Sequence, residues 1–243
     1  MRRPSVPELL AAWERGLEMG PVSRALELLA VAFPDTPREE LASFTIGNRD
    51  GLLLELRELL FGPDMAGFAT CSGCGETLDV TIKASDVRVN PPDDGDSRLE
   101  LREAGYDLQL RLPNSHDLIA ASGAAPAQRR QVLLKRCLVR ARCDTDDVTA
   151  DELPAEVLDA VVKHLAAADP QADIHLTISC PKCGHRWQAQ FDVLSFFCTE
   201  LEAWVRRLLR EVHALASAYG WNERDILALS ATRRTLYLEM VGT

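Results

Sequence analysis

The chain has 243 residues, 47% of them hydrophobic, and carries 37 acidic against 27 basic side chains for a formal net charge of −10. That apolar share is a globular value and excludes a disordered chain, and no apolar run approaches the roughly 18 residues a membrane span needs. The acidity argues against a nucleic-acid binder, which usually presents a basic face to phosphates.

The opening stretch MRRPSVPELLAAWERG has two arginines but no apolar segment of signal-peptide length, because Glu8, Glu14 and Arg15 interrupt it. A soluble, cytoplasmic protein is the expectation. Residues 1–66 read as an N-terminal helical bundle. In PELLAAWERGLEMG, Leu9, Leu10, Trp13 and Leu17 recur at helical steps, and Gly20-Pro21 ends the run. VSRALELLAVAF, REELASF and GNRDGLLLELRELLFG are the next candidates, the last with Leu53, Leu56, Leu59 and Leu60 on one face.

The texture changes over 67–112. ETLDVTIKASDVRV alternates Leu78, Val80 and Ile82 with Asp79, Thr81 and Lys83, which is a strand signal. The loop NPPDDGDS follows, then SRLELRE and YDLQLRL, joined at Ala104-Gly105 in an expected tight hairpin. Residues 113–170 read as a helical insertion with candidates HDLIAAS, QRRQVLLKRCLVRA and PAEVLDAVVKHLAAA. Within it, Asp144, Asp146, Asp147, Asp151, Glu152 and Glu156 form an acidic run without Lys or Arg, expected to be a solvated linker. Strands resume at DIHLTISC and RWQAQFDV over 171–193. Residues 194–243 form a C-terminal helical region, with a long helix from Leu194 to Ala218. Its face is Phe197, Leu201, Trp204, Leu208, Val212, Leu215 and Tyr219; Gly220 stops it, and Asn222 and Ser230 are N-caps for two short helices.

The chemistry lies in the cysteines. Cys71-Ser72-Gly73-Cys74-Gly75 and Cys180-Pro181-Lys182-Cys183-Gly184 are two C-x-x-C-G turns, each between strand candidates. Each turn points two thiolates to one side, its glycine permits the positive φ required, and four thiolates complete a closed tetrahedral site. The expected metal ligands are Cys71, Cys74, Cys180 and Cys183, and the expected cofactor is structural Zn²⁺. The fold class is α+β: a zinc ribbon carrying a long inserted segment, flanked by helical regions at both ends. About a hundred residues separate the knuckles, where ordinary ribbons leave roughly 15 to 20. A redox dithiol fits two matched copies poorly, and an iron–sulfur cluster shares the ligand type but not the ribbon context. Seven cysteines without a signal peptide argue against a disulfide framework. Cys137 and Cys198 read as core residues and Cys143 as near a helix end. His185 is a surface or supporting residue beside a complete ligand set. No G-x-G-x-x-G, phosphate loop, H-E-x-x-H or G-x-S-x-G occurs, so the motifs give an enzyme no support and no catalytic or cofactor-binding residue is assigned beyond the metal ligands.

The last third, CPKCGHRWQAQFDVLSFFCTELEAWVRRLLREVHALASAYGW and onward, resembles the baseplate-hub assembly chaperones of T-even-type contractile phage tails and contractile injection systems, in their long zinc-ribbon form. RLPNSHDL, LLKRCL and an LRELLFG segment before the first knuckle fit the same pattern; Cys198 departs from it, standing where a tryptophan is expected. The resemblance implies an accessory, non-enzymatic factor whose partners are baseplate hub or spike proteins. The stripe of Phe196, Phe197, Trp204 and Tyr219, with Trp221, Ile226, Leu229, Leu236 and Tyr237 after it, reads first as the domain's own core, with a client-holding groove as the functional alternative. A homo-oligomer is compatible with it; nucleic acid and membrane are not expected partners. The competing class is a nucleic-acid-binding or regulatory zinc ribbon using Lys182, Arg186 and Trp187.

Overall fold

The computed structural model describes residues 1–89, 98–144 and 146–242. The expected loop NPPDDGDS falls within 90–97 and lies outside the described residues.

Four helices open the chain: α1 (Val6–Gly16), α2 (Pro21–Ala32), α3 (Arg38–Ser43) and α4 (Ile46–Phe61). Local chemistry sets their starts. Ser5 caps α1 and Glu8 reaches back to the Ser5 N–H at 2.8 Å, while proline stands at the first turn of α1 and α2. The inward face of α4 differs from the expected stripe: Leu53, Leu54, Leu56 and Arg57 are buried and Leu59 is exposed. The reason is the Arg57 side chain, which holds the end of α4 against the next strand and so fixes the helix's rotation.

Two hairpins carry the knuckles, β1 (Asp64–Thr70) with β2 (Thr77–Lys83) and β7 (Ile174–Ser179) with β8 (Arg186–Phe191). They are separate two-stranded sheets, not strands of one hydrogen-bonded ribbon. β2 ends in a short helix, α5 (Ala84–Val87), where the alternation of ETLDVTIKASDVRV pointed to a longer strand. Asp86 accepts from the Lys83 N–H there and turns the chain.

Between the hairpins lies a four-stranded sheet of β3 (Arg98–Glu103), β4 (Tyr106–Arg111), β5 (Leu138–Cys143) and β6 (Asp146–Asp147), all antiparallel. Ala104 and Gly105 both take positive φ, 49° and 85°, the two-residue turn whose twist matches a hairpin. Helices α6 (Ser115–Ser122), α7 (Arg129–Cys137) and α8 (Ala155–Ala168) complete this segment. A purely helical 113–170 is thus corrected: α7 stops at Cys137 and LVRARC runs on as β5. That stretch alternates, with Ala141 turned inward and Arg140 and Arg142 outward, so pairing with β4 prevails over local helix propensity. The acidic run is not a free linker either. Asp147 pairs with Arg140 and Arg142, Asp151 with Lys135, and Leu153 is buried.

The chain closes with α9 (Val193–Tyr219), α10 (Glu223–Ala228) and α11 (Ala231–Val241). Gly220 takes φ 67° at the end of α9, and Asn222 and Ser230 cap the two short helices. The main core joins α1, α2 and α4 to Met65, Ala84, Val87, Ile174 and the first half of α9. A second core fills the four-stranded sheet against α8, and a third, smaller one holds α10 and α11 on the end of α9.

Long-range polar contacts join these parts. The start of α4 is held by the Ile46 N–H donating to Pro113 O, and by the Gly47 N–H donating to the buried Asp169 carboxylate at 2.8 Å. A Cβ on Gly47 would stand 1.8 Å from Asp169 Oδ1. Gly47→Ala is therefore expected to displace Asp169 and cost about 2–3 kcal/mol, read as a fall in Tm of roughly 5–10 °C; an unchanged melting curve would show that the contact is dispensable.

Candidate metal centre

Both knuckles are built by the same local rules. In the first, the Cys71 N–H donates to Glu76 O (2.8 Å), the Gly75 N–H donates to Cys71 O (2.9 Å), and Gly75 has φ 74°. In the second, the Cys180 N–H donates to His185 O, the Gly184 N–H to Cys180 O, both at 2.9 Å, and Gly184 has φ 72°. The positive φ is the conformation only glycine adopts without strain. It turns the chain back between the two cysteines and the outgoing strand.

The four sulfurs converge, all within 4.8 Å of one another. Cys71 Sγ lies 3.7 Å from Cys183 Sγ, and Cys74 Sγ lies 3.7 Å from Cys180 Sγ. A tetrahedron with metal–sulfur bonds of ~2.3 Å has sulfur edges of ~3.8 Å, so the donor set fits a four-coordinate ion. Cys71 and Cys180 are buried; Cys74 and Cys183 are exposed. Crowding moves two of the thiols in opposite directions. Desolvation raises Cys180, but the Cys183 and Lys182 backbone N–H groups outweigh it and bring the thiol down to about 7. The Glu76 N–H lowers Cys74, yet the Cys183 thiol, desolvation and the other two thiols push it up to about 12. A dication removes this conflict by offsetting the accumulated negative charge.

The correspondence between the knuckles extends along the chain. Cys71 matches Cys180 and Cys74 matches Cys183; in the same register β1 matches β7, β2 matches β8, and α5 matches the first turn of α9. The equal 3.7 Å sulfur pairs exchange with each other under that correspondence. Two side-chain braces join the knuckles without following that correspondence: Lys182 binds Glu76, and His185 Nε2 lies 3.0 Å from Ser72 Oγ. The His185 ring also stacks on Trp187 and stands outside the sulfur cluster. Cys137 is buried, and Cys143 and Cys198 half-buried, in three other places.

Two buried polar groups tie the elements together, and the first of them positions a knuckle hairpin. Arg57, buried, donates to both Glu200 carboxylate oxygens (2.7 and 2.6 Å), to Gly62 O (2.7 Å) and to Asp64 O (2.8 Å). It ties the end of α4 to the start of β1 and to α9. Asp117, completely buried, takes two bonds from Arg111 (2.6 and 2.8 Å), one from Arg136 Nε (2.8 Å) and one from the Asn114 N–H (3.0 Å). The motifs RLPNSHDL and LLKRCL are the two sides of this one clamp.

A family model described as the T4 bacteriophage base plate protein matches residues 25–198. The chain belongs to that family. The match runs from within α2 through both knuckles to the first turn and a half of α9, so the four cysteines, Arg57 and the Asp117 clamp fall within the matched residues, while Glu200, α10 and α11 lie beyond them. The part of the sequence resemblance downstream of Cys198 is not covered by the match. No curated protein and no solved structure gives a significant match.

Proposed function

We propose that this base plate family protein is a non-enzymatic assembly factor, a chaperone for the hub or spike of a contractile phage-tail-like injection system, and that it acts in the cytoplasm with one structural zinc. The observation that carries the reading is the family match across both knuckles. The four-sulfur donor set supports it: thiolates favour zinc, and four of them leave no open position for a water or substrate. Among the described residues no helix is long and apolar enough to cross a membrane. The client-holding stripe of the C-terminal region is partly consumed internally, with Phe197 and Ile226 buried, while Leu236 and Tyr219 are exposed.

A tagged chain co-expressed with the hub and spike proteins of its own base plate is expected to retain one of them through purification. Recovery of the chain alone, with those proteins present and soluble, would contradict the proposal. The nucleic-acid reading is weaker, because Lys182 is already bound to Glu76. A salt-dependent shift of labelled DNA at micromolar protein would favour it instead.

A further inference from the structure

The two knuckle hairpins leave two openings between them, and the described residues fill only one. On the β1/β8 side, Phe196 from α9 seats against Phe191 (ring centroids 5.4 Å apart) and beside Gly67, leaving a cavity of about 140 Å³. Arg57 lies over the same ring. On the β2/β7 side lies a groove of about 760 Å³, lined by Thr77–Ile82 of β2, by 176–179 of β7 and by Pro181.

The correspondence between the halves says what is missing. The counterpart of Phe196 is Val87, which is smaller and is buried in the main core instead of lining the groove. The counterparts of Gly67 and Phe191 are Leu176 and Ile82, so the wall stays apolar although no aromatic ring among the described residues lines it. The groove is continuous with the interface that Phe196 already makes, because Val80, Ile82, Leu176 and Ile178 line both openings. Its rims are strand edges: among the described residues β2 pairs only with β1, and β7 only with β8. Such edges accept an extended chain through main-chain hydrogen bonds, while the pocket between them selects a side chain.

We infer that the β2/β7 groove is a docking site for an extended segment of a partner protein, with an aromatic side chain seated over Val80, Ile82, Leu176 and Ile178 as Phe196 is seated on the opposite side. The inference rests on the assembly-factor reading and names where the client is held. The aromatic supplies most of the affinity, as buried aromatic anchors do.

The test uses the full-length chain co-expressed with the hub and spike proteins. Thr81 and Thr177 line the groove with exposed side chains, so Thr81→Lys and Thr177→Lys place charge in the groove at little cost to folding. Thr70→Lys, exposed on β1, is the control. The expected result is at least tenfold weaker retention of the client by each groove variant, with metal content and Tm as in the wild type, and full retention by Thr70→Lys. A photo-crosslinking residue at position 177 should attach to a client segment containing an aromatic residue. Client retained equally by all three variants, or cross-linked only elsewhere, would overturn the groove and leave the assembly role standing. A wild-type chain that retains neither hub nor spike protein would overturn both.

Discussion

Cys180→Ser is expected to lose the bound metal and to lower Tm by roughly 10–15 °C. A metal held by the four sulfurs closes an excursion of about a hundred residues, a closure worth ~3–5 kcal/mol on the scale of covalent cross-links, which translates to that shift for a chain of this size. Serine keeps the shape of the side chain but supplies no thiolate, and three sulfurs hold the ion far less well than four. Burial ranks the positions. Cys71 and Cys180 are buried, Cys74 and Cys183 exposed, so Cys71→Ser and Cys180→Ser should be the more damaging of each pair. Chelation should reproduce the effect in the wild type and add nothing to the variant. Metal analysis and calorimetry check this together; full metal content with unchanged melting in Cys180→Ser would refute it.

The second large effect is expected at Asp117. Asp117→Asn removes the charge that Arg111 and Arg136 share and leaves their guanidiniums facing a neutral amide at a completely buried position. Breaking such a pair from one side costs about 3 kcal/mol, the lower end of the range because both arginines reach solvent, and Tm should fall by roughly 6–12 °C. The pH dependence has a definite sign. Burial raises the Asp117 carboxyl, but the hydrogen bonds from Arg111, the Asn114 N–H and Arg136 outweigh it and hold the group below its ordinary value. The stabilisation is therefore present above the unfolded carboxylate range near pH 4 and is lost as pH falls through the folded value. The stability gap between wild type and Asp117→Asn should be constant at neutral pH and close below about pH 4. A gap independent of pH down to 2 would show that the charge is not what the clamp uses.

The knuckles were legible because their determinants are local: two cysteines, a fixed spacing and a glycine needing positive φ. The same holds for the Ala104-Gly105 turn and the caps at Asn222 and Ser230, each set within three or four residues. What the sequence could not reveal depends on partners far along the chain. Arg57 reads as one more charge on an amphipathic helix until Glu200 is beside it. Gly47 reads as a helix-weakening residue until Asp169 occupies the space of its Cβ. The strand after Cys137 is a strand because β4 is there to pair with it. The correspondence of α5 with the start of α9 was hidden because Val87 and Phe196 differ in size and burial, although their backbones follow the same turn.

The most direct test of the metal-centred account is X-ray absorption on the protein purified without added metal, with elemental analysis of the same sample. The account predicts one zinc per chain with four sulfur ligands at ~2.3 Å. A chain that folds and melts cooperatively with no bound metal, or with nitrogen or oxygen in the zinc's first shell, would contradict it.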